Sequence, residues 1–183
     1  MNDDHTDFVP EALSHGEAHQ GTLAHTEDEK EAFPDGSKSV LNANDFVFVL
    51  GQGSGWHGYN VLKVNTTGKC EYTFGGERTG KWQRAAFLLS AAELTELQAK
   101  IVETDLFALA KGYFFNAHDG TQWFVKVQGK SQRKSVYCDN YFPQEIVRLS
   151  QFVAERVMAG HKKEIDAAVA IDLKWDEFEK ETW

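Results

Sequence analysis

The stretch Asn60-Val61-Leu62-Lys63-Val64-Asn65-Thr66-Thr67-Gly68-Lys69-Cys70-Glu71-Tyr72-Thr73-Phe74 decides the fold class. Two alternating runs, Asn60 to Asn65 and Lys69 to Phe74, flank the three residues Thr66-Thr67-Gly68. A three-residue connection closing on glycine signals a β-hairpin, because glycine accepts the left-handed backbone that a bulged turn needs. Alternation puts Cys70, Tyr72 and Phe74 on one face of the second strand. Hairpins pair antiparallel, so the sheet is expected to grow by local returns of the chain.

Working outward, Phe46-Val47-Phe48-Val49-Leu50 is a short apolar run with the signature of a buried strand, and Trp82 to Leu89 adds another. Thr121 to Val127 alternates with Trp123, Val125 and Val127 on one side. It turns through Gln128-Gly129-Lys130-Ser131 into Lys134 to Asp139, a second hairpin. Ser90-Ala91-Ala92-Glu93 is a capping box that opens a helix with Leu94, Leu97 and Ile101 on one stripe and Gln98 beside it. Pro143 suits the first turn of a helix striped by Ile146, Leu149, Val153 and Val157 and ended by Gly160. A last amphipathic helix is expected across Lys162 to Lys180, with Ile165, Ala168, Ile171, Trp175 and Phe178 on its apolar side. The expected architecture is α+β: an antiparallel sheet of about five or six strands built from hairpins, with two or three helices packed on one face.

Charge divides the chain of 183 residues more sharply than hydropathy does. Residues 1–42 hold ten acids and two lysines, net -8, while residues 43–158 are at +2 and residues 159–183 at -3. The first segment is also poor in large apolar residues, a composition that buries too little surface to fold alone. This gives an acidic extended or disordered arm over 1–42, an α+β domain over 43–158 and a C-terminal amphipathic helix over 159–183. A total of -9 argues against a general nucleic-acid binder. Two cysteines cannot build a disulfide framework, and apolar runs such as Ala85-Ala86-Phe87-Leu88-Leu89 are too short to cross a bilayer. The acidic start Met1-Asn2-Asp3-Asp4 lacks the basic character of a secretory signal, so a cytoplasmic location is expected.

Several of these residues form a recognisable series. Gly55-Trp56-His57-Gly58-Tyr59-Asn60-Val61 leads into a strand, followed by Gly68, Tyr72 and Gly75-Gly76. Ser90, Leu97, Leu106-Phe107, Tyr113, Asp119, Val125, Val127, Gly129, Lys134, Val136, Pro143 and Leu149 then continue the series. The run, about residues 45–155, resembles a family of small bacterial α+β domains of unknown function, in which a Cys-Pro pair often stands where this chain has Trp56-His57. The resemblance implies the fold and supplies no activity and no catalytic residue.

Candidate chemistry is sparse. Gly53-Ser54-Gly55-Trp56-His57-Gly58 matches G-x-G-x-x-G, but the motif serves a dinucleotide only when it opens a helix, and here a strand follows. The glycines read instead as a flexible connection between strands. A ligand or hydrolase site at this Gly51–Gly58 loop would draw on Trp56, His57, Tyr59 and His118, although Asp119-Gly120 beside His118 is an ordinary turn signal. His15 and His19 stand four apart and, with His25, are the metal candidates; Gly16 works against the helix that would align them, so solvated histidines and no bound metal or cofactor are expected. Cys70 and Cys138 read as small buried hydrophobes, with a bridge between them left open. Lys126, Lys130, Arg133 and Lys134, with Arg78, Lys81 and Arg84, form a basic set that reads as solvent-facing charge deterring edge-to-edge aggregation.

The function expected from these residues is that of a non-enzymatic interaction protein, an accessory subunit of a larger assembly. It would dock through the arm and the C-terminal helix, using Phe8, Val9, Leu13, Phe33, Trp175, Phe178 and Trp183. An inhibitor or immunity-like protein that covers a basic enzyme is the alternative, and the ligand or hydrolase site at the glycine loop is the third reading.

Overall fold

A computed structural model describes residues 24–25, 38–54, 58–76, 81–115, 120–130 and 132–182. Among them the strands are β1 (Ala24–His25), β2 (Val47–Ser54), β3 (Gly58–Asn65), β4 (Lys69–Gly76), β5 (Lys81–Leu88), β6 (Gly112–Phe114), β7 (Gln122–Gly129), β8 (Gln132–Asp139) and β9 (Val169–Ile171). The helices are α1 (Lys38–Leu41), α2 (Ala91–Glu103), α3 (Gln144–Phe152), α4 (Lys162–Asp166) and α5 (Trp175–Thr182). All nine strands join one sheet in the order β1-β6-β8-β7-β2-β3-β4-β5-β9. The class is α+β as expected, but the sheet is larger than five or six strands and is mixed, because β6 pairs parallel to β8. That pairing joins segments far apart in sequence, which no hairpin pattern announces.

The deciding hairpin forms for identifiable local reasons. Asn65 Oδ1 accepts from the Thr67 amide at 3.0 Å, the Thr67 hydroxyl at 2.8 Å and the Lys69 amide at 3.0 Å. Gly68 takes φ +78°, and its amide donates to Asn65 O at 2.9 Å. At the second hairpin Lys130 takes φ +51°, and its amide donates to Asp45 Oδ1 at 2.7 Å. The capping box is complete: the Glu93 amide donates to Ser90 Oγ at 3.3 Å, and the Ser90 amide donates to Glu93 Oε2 at 2.7 Å. Gln98, the polar residue beside the α2 stripe, donates Nε2 to Leu41 O at 2.7 Å.

Alternation divides the sheet into two apolar faces. Phe48, Leu50, Leu62, Val64, Tyr72, Phe87, Val125 and Val136 meet Leu97 and Ile101 of α2 and Ile146 and Leu149 of α3 in the main core. The opposite face carries a smaller cluster of Val49, Tyr59, Val61, Trp82 and Phe124 under Phe178 of α5. Helices therefore cover both faces, a correction to the one-faced arrangement expected from the sequence. The second face is apolar enough at one end to need its own cover, and α5 supplies it.

Two further boundaries differ from expectation. Residues 38–41 form α1, with Val40 and Leu41 buried in the main core, and Ala24–His25 pairs with β6, so the folded part reaches into the segment read as an arm. The chain after Pro143 does not stop at Gly160. It runs through α3, a π-helical segment Val153–Met158 and a 3-10 turn Ala159–His161 into α4. The single helix expected over Lys162 to Lys180 is instead α4, β9 and α5. β9 extends the sheet beside β5, pairing Trp82 with Ile171 and Arg84 with Val169.

Candidate functional site

The site is assembled by strand register on the face that α5 covers only in part. Val49 of β2 stands opposite Lys63 of β3 on one side and Lys126 of β7 on the other. The row continues to Ser135 of β8 and to Glu71 of β4. One step along, Thr73 stands opposite Arg84. Strands lie about 4.8 Å apart, so the two lysines are held roughly 10 Å from each other on rigid central strands. Arg133, two residues before Ser135 on β8, brings a third cation to Lys126.

Lys126 is only 8% exposed. Burial, followed by the repulsion of Arg133 and Lys63, lowers its pKa to about 8. Holding like charges together in a half-dry place opposes folding, and such arrangements cluster at functional sites. The guanidinium of Arg84 is positioned by its own strand pair, with Nε donating to Thr73 Oγ1 at 3.0 Å. Arg133 Nε likewise donates to Ser135 Oγ at 3.0 Å. Between β2–β5 and α5 lies a pocket of about 280 Å³, lined on its apolar side by Val49, Val61 and Phe178 and on its polar side by Lys63, Glu71, Thr73 and Arg84. Lys63, Arg84, Lys126 and Arg133 share this face of the sheet with Glu71, while α5 has the acidic residues Asp176 and Glu177 in its first turn.

Of the residues proposed from sequence for a ligand site, Tyr59 alone falls among the described residues. It is buried in the second-face cluster, packs on Trp175 and Phe178, and donates its hydroxyl to Gln122 Oε1. Trp56, His57 and His118 lie outside the described residues. The glycine loop is shorter than expected, because Gly51 and Gly53 belong to β2. A Cβ on Gly51 would run into the ring of Phe124, its partner across β7, so the space above this glycine is filled by an aromatic.

Of the partner-docking residues, Phe178 is 2% exposed and Trp175 is half-buried, both against the chain's own sheet. This corrects the reading of α5 as a free docking element. Phe8, Val9, Leu13, Phe33 and Trp183 lie outside the described residues, as do the metal candidates His15 and His19. His25 is described only as part of β1, paired with Tyr113. Among the described residues no group of three His, Cys, Asp or Glu side chains could hold a metal ion, and no helix is long and apolar enough to cross a membrane.

The basic set is only in part solvent-facing edge charge, and its Arg78 lies outside the described residues. β7 lies between β2 and β8, inside the sheet, and Lys134 points to the main core and donates Nζ to Leu109 O. Lys63 was missed altogether, although its alternation with Leu62 and its sharing of a face with Val61 were visible. Both cysteines are free and buried, and burial raises each thiol to about 12. β4 and β8 are four strand positions apart, roughly 19 Å, which puts a bridge out of reach.

No family model matches the chain, and no curated protein matches it. The class defined by the fold is structural: an α+β domain whose single mixed sheet is covered by helices on both faces, with a recess between the second face and α5.

Proposed function

We propose that the chain is a non-enzymatic interaction protein, an accessory subunit whose recognition surface is the open cationic part of the sheet's second face, and that its partner there is acidic. The observation that carries this reading is Lys126, 8% exposed and flanked by Lys63 and Arg133 on central strands. A positive cluster that works against folding is a reason to look for a negative partner that relieves it. The buried thiols are unsuited to act as nucleophiles, since a thiol raised to about 12 holds almost no thiolate near neutral pH. The same charge favours an acidic partner over the basic enzyme of the inhibitor reading.

The test is fluorescence anisotropy of a labelled Glu/Asp-rich peptide with the full chain, at low and at moderate salt. Binding is expected to weaken by about tenfold as salt rises, and to be lost in the double variant Lys63→Glu, Arg133→Glu. Unchanged binding in that variant rejects the reading.

A further inference from the structure

We propose that residues 159–177 form a strap around the outer edge of the sheet, and that protonation of His161 tightens it by strengthening its contact with Glu93 of α2. The strap carries the chain from the main core to the second face. It begins after Met158, supplies β9 at the end of the sheet beside β5, and ends at Phe178. Met158 and Phe178 are buried, at 6% and 2% exposure, but no residue between them is. Ile165 and Ala168 lean on the main core, and Ile171, Leu173 and Trp175 lean on the second-face cluster. A segment held by partly buried side chains opens at less cost than a core element does.

His161 is the tie at the first end. Its ring stacks on Phe87 of β5, with centroids 4.5 Å apart and planes inclined by 19°. Nε2 lies 3.3 Å from Glu93 Oε1, shut off from solvent and without a well-aligned hydrogen bond. The contact is therefore chiefly electrostatic, and it grows when the ring gains its charge in the mildly acidic range. Glu93 is ready as the counter-charge. Hydrogen bonds from the Ser90 hydroxyl and amide to Oε2 lower the pKa of this carboxyl, which keeps it ionised through that range, and Oε1 is left to His161. The neighbouring charges are engaged elsewhere or exposed. Glu96, one turn along α2, meets Arg156 of the π-helical segment at 3.5 Å, and Lys162 meets Asp166 at 2.8 Å. Lys163 and Glu164 of α4 are exposed. From β4, Cys70 stands opposite Phe87, and its thiol, raised to about 12, is uncharged. Among the described residues Glu93 is thus the charged group that meets His161.

Thermal melts of the full chain, of Glu93→Gln, of His161→Phe and of the double variant, at about pH 5.5 and about pH 8, isolate the contact. Glutamine keeps the capping box, which either residue completes, and phenylalanine keeps a ring on Phe87. The Tm lost on Glu93→Gln is expected to be about 2 °C larger at the lower pH. The sign follows from the proton: the attraction is present while His161 is charged and is lost as pH rises through the histidine range. In the His161→Phe background the loss is expected to be the same at both pH values.

Amide hydrogen exchange, corrected for the intrinsic rate at each pH, reads whether the contact governs the strap. Relative to β2, the β9 amides are expected to open about threefold less often at the lower pH in the parent, and equally often at both in Glu93→Gln. A Tm loss that does not change with pH, the same change in the His161→Phe background, or β9 amides that follow β2 at both pH values overturns the proposal.

Discussion

Trp82 and Phe178 stack with ring centroids 4.5 Å apart and planes inclined by 25°. This contact joins β5 to the C-terminal helix across 96 residues of chain and closes one end of the sheet's second face. Trp175 and Tyr59 complete the cluster, with centroids 5.3 Å and 6.0 Å from Phe178.

Phe178→Ala is expected to cost about 3 kcal/mol, in the range for removing a buried phenyl ring. Urea unfolding followed by tryptophan fluorescence checks this, since Trp82 and Trp175 both lie in the cluster. A stability unchanged from the parent would show that α5 contributes nothing to the fold.

In the main core Gln52 Nε2 of β2 donates to Ser150 Oγ of α3 at 2.7 Å, both residues buried. Ser150→Ala leaves the Gln52 amide without that partner, and is expected to cost about 2 kcal/mol. Gln52→Leu combined with Ser150→Ala is expected to recover much of that loss, and a double-mutant cycle by denaturant unfolding measures the coupling.

Lys126 predicts a pH response with a definite sign. Between its folded value of about 8 and the ordinary 10.5, the unfolded chain holds a proton that the folded chain has released. Stability therefore rises with pH in that window, and Lys126→Met removes the rise. Cys70 and Cys138, raised from 9.0 to about 12, work in the opposite direction above pH 9. The difference between the parent and Lys126→Met in thermal melts from pH 7 to 10.5 isolates the lysine. Parallel curves would refute the assignment.

Both thiols are expected to resist a disulfide reagent at pH 8 in the folded chain and to react together in denaturant, at a rate set by unfolding. Rapid labelling of one thiol in the native protein would place that cysteine at the surface, contrary to its burial.

Much of this protein was legible where the cause is local. The Asn65 and Gly68 turn, the Ser90–Glu93 capping box, the two hairpins and the α2 and α3 stripes all follow from neighbours within a few residues, whose side chains satisfy nearby backbone groups. Tyr59 and Phe178 stand out in the sequence as aromatics of the glycine loop and the last helix, but their packing against each other does not. The parallel pairing of β6 with β8, the return of β9 beside β5 and the burial of Val40 and Leu41 depend on partners tens of residues away.

The recess has the same origin. Lys63, Arg84, Lys126 and Arg133 are ordinary charged residues of four different strands, and alternation alone told which face each occupies within its own strand. The sequence by itself determined the α+β class, the hairpins and the inward residues, because backbone geometry and side-chain alternation are local properties. Only the tertiary structure decided the order of the strands and the face on which α5 closes, and hence which charges stand together, because those depend on non-local burial.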